Sequence, residues 1–153
     1  MAKLERDRYF TKIDLSKGYW QILMEKVSKE NTAFMISDGC YQFKKMPFGM
    51  VNSAATFNRM MRKMLHDLCN IDDYVDDIQM HMVRWEDHVK TLRQLFEWIR
   101  EAGLTLQPSK CYIGFHTLEF VGHRVGKGQV QMEEGKLTCI RNAPVLTTKR
   151  QVR

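Results

Sequence analysis

The segment that most constrains the fold is NIDDYVDDIQMHM, residues 70–82, which places four aspartates within six positions. Aspartate is a poor strand former, and carboxylates this close together repel one another. The flanking apolar residues nevertheless predict a strand, a tight turn and a second strand. Such a hairpin needs a compensating positive charge at its turn. A divalent cation that prefers oxygen ligands would supply that charge.

Two segments with helical periodicity flank this hairpin. After Asn52, a residue suited to a helix N-cap, apolar residues recur every three or four positions as far as Leu68. A second stripe with the same spacing runs from Trp85 to Ile99, and Gly103 ends it. Both patterns predict helices that bury one face.

Short strands complete the order of elements. The stretch YFTKIDL mixes aromatic and branched residues, as a strand does, and Asp14 stands near its end. TAFMISDGCYQFK is predicted to form a hairpin that turns at Asp38 and Gly39. After Pro108, the stretch YIGFHTLEFVGHRVGKGQVQM predicts further strands with glycine turns. We therefore predict an α+β fold, with helices on one face of an antiparallel sheet.

Composition sets the broad class of the protein. At 153 residues and 44% hydrophobic, the chain is long enough for one domain with a core. A net charge of +6 suits a partner with a phosphate backbone, although many ordinary proteins are as basic. The four cysteines lack metal-binding spacing, which favours reduced thiols in an intracellular protein. The charged N-terminus and the absence of a long apolar run predict neither a signal peptide nor a membrane partner.

A metal site at the hairpin needs carboxylates from more than one strand. Neighbouring residues of a regular strand point to opposite faces, so Asp76 and Asp77 can bind together only if the chain turns there. Asp14, at the end of another predicted strand, is the natural third ligand. Two divalent ions roughly 3.5 to 4 Å apart can support phosphoryl transfer.

Five ordered motifs resemble the palm region of reverse transcriptases, most closely those of gypsy-type LTR retrotransposons and their retroviral relatives. The motifs are YFTKIDLSKGYWQI, FKKMPFGMVNSAATFNRMM, YVDDI, QPSKC and FVGHRVG. The resemblance covers residues 9–153 and implies one reverse transcriptase domain, an RNA-directed DNA polymerase with a right-hand polymerase palm.

The resemblance also implies how the domain is divided. Residues 1–21 and 53–131 are expected to belong to the palm, and residues 22–52 to form a partial fingers hairpin. Residues 132–153 would begin a truncated thumb or connection. The remaining fingers, the thumb and a ribonuclease H domain are expected in other parts of a larger Pol polyprotein.

Individual site residues follow from the same resemblance. The catalytic and metal-binding residues would be Asp14, Asp76 and Asp77, with the backbone of Leu15 as a further ligand, for two Mg²⁺ or Mn²⁺ ions. The incoming dNTP would contact Leu15, Ser16, Lys17, Gly18, Tyr19, Phe48 and Gly49. Tyr19 would lie under the sugar, where its bulk excludes a ribose 2′-hydroxyl. The RNA or DNA template and the DNA primer would contact Tyr74, Val75, Phe120, Val121, Gly122, His123 and Arg124.

Asp72 and Asp73 depart from the family pattern, which has apolar residues in the strand leading into YxDD. On a regular strand they lie on opposite faces, so one of them points toward the core. We predict that neither binds a metal and that both weaken the strand. Exposure or protonation would avoid the several kcal/mol that an unpaired buried carboxylate costs. A second departure, Ser53-Ala54 in place of Ala-Pro, is expected to loosen the start of the helix slightly.

Two functions of different classes are compatible with the sequence. The first is the palm of a polymerase that is active when its other parts are present. The second is an inactive relic, or a repurposed nucleic-acid-binding module derived from a retrotransposon. A small metal-binding protein with a chance YVDD is a remote third reading, because five motifs occur in order.

Overall fold

The computed structural model describes residues 6–132 and 134–143 of the chain. The strands are β1 (Tyr9–Asp14), β2 (Phe34–Ile36), β3 (Gly39–Tyr41), β4 (Ile71–Tyr74), β5 (Asp77–Met82), β6 (Tyr112–Phe115), β7 (Thr117–Phe120), β8 (His123–Gly126) and β9 (Gln129–Met132). The helices are α1 (Lys26–Glu30), α2 (Ser53–Leu65), α3 (Trp85–Glu101) and α4 (Glu134–Arg141), and short 3₁₀ turns cover Gly18–Gln21 and Pro108–Lys110.

The central sheet has the strand order β4-β5-β1-β6, and every neighbouring pair is antiparallel. Ile13 lies opposite Ile78, and Asp14 lies opposite Asp77. Because side chains alternate along a strand, the isoleucines face one side of the sheet and the aspartates face the other. The predicted α+β fold with an antiparallel sheet is confirmed.

The isoleucine face carries the main core. Helices α2 and α3 cover it, and both begin and end close to where their apolar periodicity predicts. Phe57 and Met61 from α2 and Leu95 from α3 are fully buried against Ile13 and Ile78. Asn52 precedes α2 without a capping hydrogen bond from its side chain.

The aspartate face is partly covered by a second sheet with the order β7-β8-β9. Phe10 of β1 is fully buried there against Leu118 and Val125. Phe10 stands four residues before Asp14 on the same strand. The second sheet therefore packs on the half of this face that lies away from the aspartates.

The predicted hairpin of residues 32–44 forms, but its turn is displaced by one residue. Ile36 pairs with Gly39, so the turn consists of Ser37 and Asp38 rather than Asp38 and Gly39. This register places Phe34 opposite Tyr41, and their rings stack with centroids 6.1 Å apart. Cross-strand aromatic pairs of this kind stabilise a hairpin.

Other expectations concern the ends of the chain and its environment. The segment predicted to begin a thumb contains α4, while residues 144–153 lie outside the described residues. Within the described ranges, no helix has the length and apolar character needed to span a bilayer. The four cysteines are free thiols.

A buried histidine joins α3 to the sheet. The Thr11 hydroxyl accepts the Gly114 N–H at 3.0 Å and forms a hydrogen bond with Nε2 of His88 at 2.8 Å. His88 is fully buried, and burial lowers the pKa of its imidazole.

We expect His88 to make the protein less stable in mild acid. A folded-state pKa below the unfolded value of about 6.5 means that the unfolded chain binds more protons, so stability is lost as the pH falls through that value. Urea unfolding at pH 7 and pH 5 should show this loss for the wild type and a smaller loss for His88→Gln. The control His66→Gln changes an exposed ring and should keep the wild-type pH dependence. An unchanged pH dependence in His88→Gln would contradict this account.

Candidate active site

Three aspartates meet at one end of the central sheet. Asp14 ends β1, and Asp77 begins β5 as its cross-strand partner. Asp76 occupies the adjoining two-residue turn together with Val75, whose φ of 57° is left-handed. The Leu15 N–H donates to the carbonyl oxygen of Asp76 at 3.0 Å, which fastens this turn to the end of β1. The catalytic aspartates expected from the sequence are thus neighbours in space.

Two lysines neutralise part of this negative charge. Lys12 places its Nζ 3.0 Å from an oxygen of Asp77, and Lys110 places its Nζ 3.6 Å from an oxygen of Asp14. Burial raises the pKa of Asp14; Lys110 opposes this effect, while repulsion from Asp77 and Asp76 adds to it. The site therefore holds more negative charge than its lysines offset.

The donor chemistry of this site suits a hard divalent cation, since all three side chains offer carboxylate oxygens. As the side chains stand, however, no three Asp, Glu, His or Cys residues in the described ranges could hold a metal ion together. Asp14 and Asp77 each face a lysine instead. A cation at this site would take the place of those lysines as the partner of the carboxylates.

The loop after β1 packs tightly below the YVDD turn. Lys17 adopts a left-handed conformation with φ of 50°, and Gly18 follows it as a buried residue. A Cβ on Gly18 would lie 2.9 Å from the ring of Phe57 and 3.2 Å from the Cβ of Asp76. Only glycine allows the loop to pass this close to Asp76.

An aromatic cluster brings the two predicted nucleotide-binding segments together. The ring of Tyr19 lies 5.2 Å from the ring of Phe48 and 5.3 Å from the ring of Phe57, measured between centroids. Gly49, with φ of 87°, follows Phe48 in a conformation that favours glycine. Residues 15–19 and 48–49 therefore form one region beside the aspartates.

The residues expected to contact template and primer lie in two places. Tyr74 is exposed on β4, and Val75 follows it in the YVDD turn. The others belong to the β7–β8 hairpin, where Phe120 pairs with His123 and the turn is Val121-Gly122. In the described part of the chain, this turn makes no hydrogen bond or ion pair with the three aspartates. The structure thus brings the hairpin to the same sheet face but not into contact with them.

Asp72 has a partner that the sequence did not reveal. His81 lies between two carboxylates, with Nδ1 2.7 Å from Asp7 and Nε2 3.3 Å from Asp72. Both ring nitrogens of His81 thus face carboxylate oxygens. His81 and Asp7 are buried, whereas the side chain of Asp72 is 61% exposed. Asp72 therefore lies at the surface beside the buried contact between His81 and Asp7.

Asp73 is the aspartate that points toward the core side. It pairs with Ile78 across the strands and shares a face with Ile71. It is only partly buried, because β4 is an edge strand of the sheet. The sequence predicts that either exposure or protonation avoids the cost of burying this carboxylate. The structure shows partial exposure of Asp73.

We expect Asp14→Asn to raise the melting temperature at neutral pH by a few degrees. The raised pKa of Asp14 means that ionising this carboxyl as the pH rises above about 3.8 costs folding stability, and asparagine removes that cost. Loss of the pair with Lys110 should matter less, because Lys110 is 66% exposed.

Thermal unfolding at pH 7 and pH 3 would test this expectation. The gain should shrink at pH 3, where the wild-type carboxyl is protonated. The control Asp38→Asn, in the exposed β2–β3 turn, should show no such pH-dependent gain. A melting temperature of Asp14→Asn below that of the wild type at pH 7 would contradict the expectation that the ionised Asp14 carboxyl destabilises the fold.

Comparison with known proteins identifies the family. Residues 1–125 match the family described as reverse transcriptase (RNA-dependent DNA polymerase). The chain is 34% identical to the retrovirus-related Pol polyprotein from transposon 297 of Drosophila melanogaster, covering 100% of this chain and 15% of that protein. It is 32% identical to polyprotein P3 of Commelina yellow mottle virus, covering 87% of this chain and 7% of the polyprotein.

Solved structures agree with this match. The foamy viral protease-reverse transcriptase in complex with an RNA/DNA hybrid superposes with a TM-score of 0.83 at 26% identity, covering 95% of this chain and 20% of that one. A form in complex with double-stranded DNA gives a TM-score of 0.88 at 26% identity, covering 96% and 26%. The chain thus spans a small part of the proteins it matches. It belongs to the reverse transcriptase family, and its fold is that of an RNA-directed DNA polymerase domain.

Proposed function

We propose that this chain supplies the catalytic palm of a reverse transcriptase, which joins a dNTP to the 3′-hydroxyl of a primer on an RNA or DNA template. The observation that carries the proposal is the convergence of Asp14, Asp76 and Asp77, joined by the hydrogen bond from Leu15 to Asp76. Phosphoryl transfer depends mostly on positioning and on charge neutralisation, and a fixed set of carboxylates serves both purposes.

The three aspartates and the backbone carbonyl of Leu15 would hold two Mg²⁺ or Mn²⁺ ions. When bound, such ions activate the attacking hydroxyl and neutralise charge that develops on the phosphate. Burial raises the pKa of Asp14 and repulsion from Asp77 and Asp76 adds to this effect; a bound cation would relieve the repulsion, which supports this role. Lys12 and Lys110 would hold the carboxylates in position before the ions bind.

The loop of residues 15–18 would offer backbone groups to the triphosphate, with Lys17 as a nearby positive charge. Tyr19 would lie beneath the sugar of the incoming nucleotide. Its contacts with Phe48 and Phe57 restrict the ring, so its bulk stays in one place. A fixed ring excludes an extra hydroxyl better than a mobile one.

The template and primer would contact Tyr74 and Val75 beside the catalytic turn and the hairpin residues Phe120, Val121, Gly122, His123 and Arg124. The net charge of +6 supports a polyanionic partner. Solved relatives in complex with an RNA/DNA hybrid and with double-stranded DNA support both kinds of template.

The division into subdomains is part of the same proposal. Residues 1–21 and 53–131 would form the palm, residues 22–52 a part of the fingers, and residues 132–153 the start of a thumb or connection. Since the chain spans 15% of the transposon 297 polyprotein, the other parts of a working enzyme would come from elsewhere in such a polyprotein.

Replacing a catalytic carboxylate tests the reaction. In a Pol polyprotein that contains this segment, Asp14→Asn and Asp76→Asn should each reduce primer extension by at least about 10³-fold. The reason is that charge stabilisation worth several kcal/mol is lost, at about 1.4 kcal/mol per tenfold. Asp72→Asn is the control and should retain extension, because Asp72 contacts His81 rather than the site. Extension that survives in the first two variants would exclude the proposed roles.

The alternative, an inactive nucleic-acid-binding module, makes a different prediction for the purified 153-residue chain. It should bind template–primer at low salt and release it as salt rises, without incorporating nucleotides. Measurable incorporation by this chain would rule the alternative out. One argument for this alternative, the unusual aspartates in the strand, is also weakened because Asp72 contacts His81.

Substituting Tyr19 tests the proposed contact with the sugar. Tyr19→Ala should reduce the preference for dNTP over rNTP by about 10- to 100-fold, a range typical of a pocket that excludes one hydroxyl by bulk. Tyr19→Phe keeps the bulk and should keep the preference. The measurement is kcat/KM for each nucleotide in single-nucleotide extension. Equal loss in both variants would point to the phenol hydroxyl instead of the ring.

A further inference from the structure

The side chain of Gln21 joins two segments that lie far apart in the sequence. Its Nε2 donates to the carbonyl oxygen of Ser16 at 2.5 Å and to that of Thr105 at 3.0 Å. Its Oε1 accepts the Thr105 N–H at 2.6 Å and the Thr105 hydroxyl at 3.1 Å. Ser16 belongs to the loop of residues 15–18 that follows β1, and Thr105 lies between α3 and β6. One side chain thus ties this loop to the α3–β6 connection.

These four bonds use the whole hydrogen-bonding capacity of the amide. A glutamine side chain has two N–H donors and one oxygen that accepts two hydrogen bonds. Gln21 therefore has no donor or acceptor left for a bound ligand. Any effect of Gln21 on a reaction at the neighbouring aspartates has to pass through the loop that it holds.

The connection between α3 and β6 is a firm support for that loop. Leu104 is buried in the main core, directly before Thr105. Leu106, directly after Thr105, pairs antiparallel with Leu15 at the end of β1. Thr105 is therefore held on one side by the core and on the other by the strand that carries Asp14.

The bond to Ser16 fixes the direction of one peptide group in the loop. A trans peptide is planar, so its C=O and N–H groups point in opposite directions, and no peptide bond among the described residues is cis. The Ser16 carbonyl points to Gln21, and the Lys17 N–H of the same peptide consequently points away from Gln21. Within the described ranges, this N–H donates no hydrogen bond. It is available to an anion on the outer side of the loop.

We propose that Gln21 is a positioning residue for the triphosphate of the incoming dNTP. By holding the Ser16 carbonyl, it directs the Lys17 N–H toward the phosphates that leave as pyrophosphate, since the α-phosphate reacts beside the aspartates. The inference rests on the proposed function, which puts the dNTP at this loop.

Removing the amide tests this role. In a Pol polyprotein that contains this segment, Gln21→Leu keeps a side chain of similar size but loses all four hydrogen bonds. KM for dNTP in single-nucleotide extension should rise about 10-fold, a loss typical of one hydrogen bond to a charged group, while kcat should change by less than about 3-fold. The control Gln94→Leu makes the same change at an exposed position of α3 and should keep both constants.

Pyrophosphate provides a readout that a general disturbance of the site would not reproduce. In the reverse reaction, pyrophosphorolysis of the primer end, the half-saturating concentration of pyrophosphate should rise for Gln21→Leu by the same factor as KM for dNTP. The preference for dNTP over rNTP should stay at the wild-type value, because it depends on the sugar. Loss of that preference would mean that Gln21 acts through Tyr19, two positions away, and would overturn the proposal.

Thermal melting of the polyprotein variants verifies that they fold. If Gln21→Leu melts below the assay temperature, Gln21→Asn replaces it; this variant keeps an amide but is too short to reach both Ser16 and Thr105, so it should raise KM for dNTP in the same way.

The outcomes separate this inference from the proposed function. A wild-type KM for dNTP in a folded Gln21 variant would overturn the inference alone, and so would a fall in kcat at unchanged KM, which would place the effect on the aspartates. Extension that survives Asp14→Asn would instead defeat the proposed function.

Discussion

The antiparallel pairing of β1 with β5 is the interaction on which the rest of the structure depends. Its register sets Ile13 opposite Ile78 and Asp14 opposite Asp77, so one pairing forms both the core and the acidic site. A slip of one residue would turn the aspartates toward α2 and α3 and expose the isoleucines. Burial of the isoleucine face thus stabilises the register that brings the aspartates together, whereas repulsion between the aspartates destabilises it.

The carboxylates of the aspartate hairpin have several partners. Lys12 faces Asp77, Lys110 faces Asp14, and His81 faces Asp72. These contacts explain how a chain of net charge +6 tolerates a local excess of negative charge. They also differ in what they join, because the lysines contact Asp77 and Asp14 while His81 connects β5 to the N-terminal segment through Asp7.

Local patterns in the sequence predicted the helices and strands well. The same patterns could not predict contacts between residues that lie far apart in the sequence. The apolar stripes of α2 and α3 and the turn of the YVDD hairpin follow from spacing alone, and the motif order indicated that Asp14 would join the hairpin. The contact of Asp7 with His81 could not be predicted, because 74 positions separate the two residues. The one-residue error in the β2–β3 turn is one of register, since Ile36 pairs with Gly39 in the structure.

The two ends of β1 differ in what stabilises them, and this difference bears on function. Phe10 is fully buried in an apolar cluster, whereas Asp14 lies beside two like charges with its pKa raised. Gly18 adds a close approach that no larger residue could make. Local arrangements that oppose stability are typical of functional sites, where the surrounding fold enforces them. Here the buried Phe10 end of β1 and the helix-covered face of the sheet hold the carboxylates together despite their repulsion.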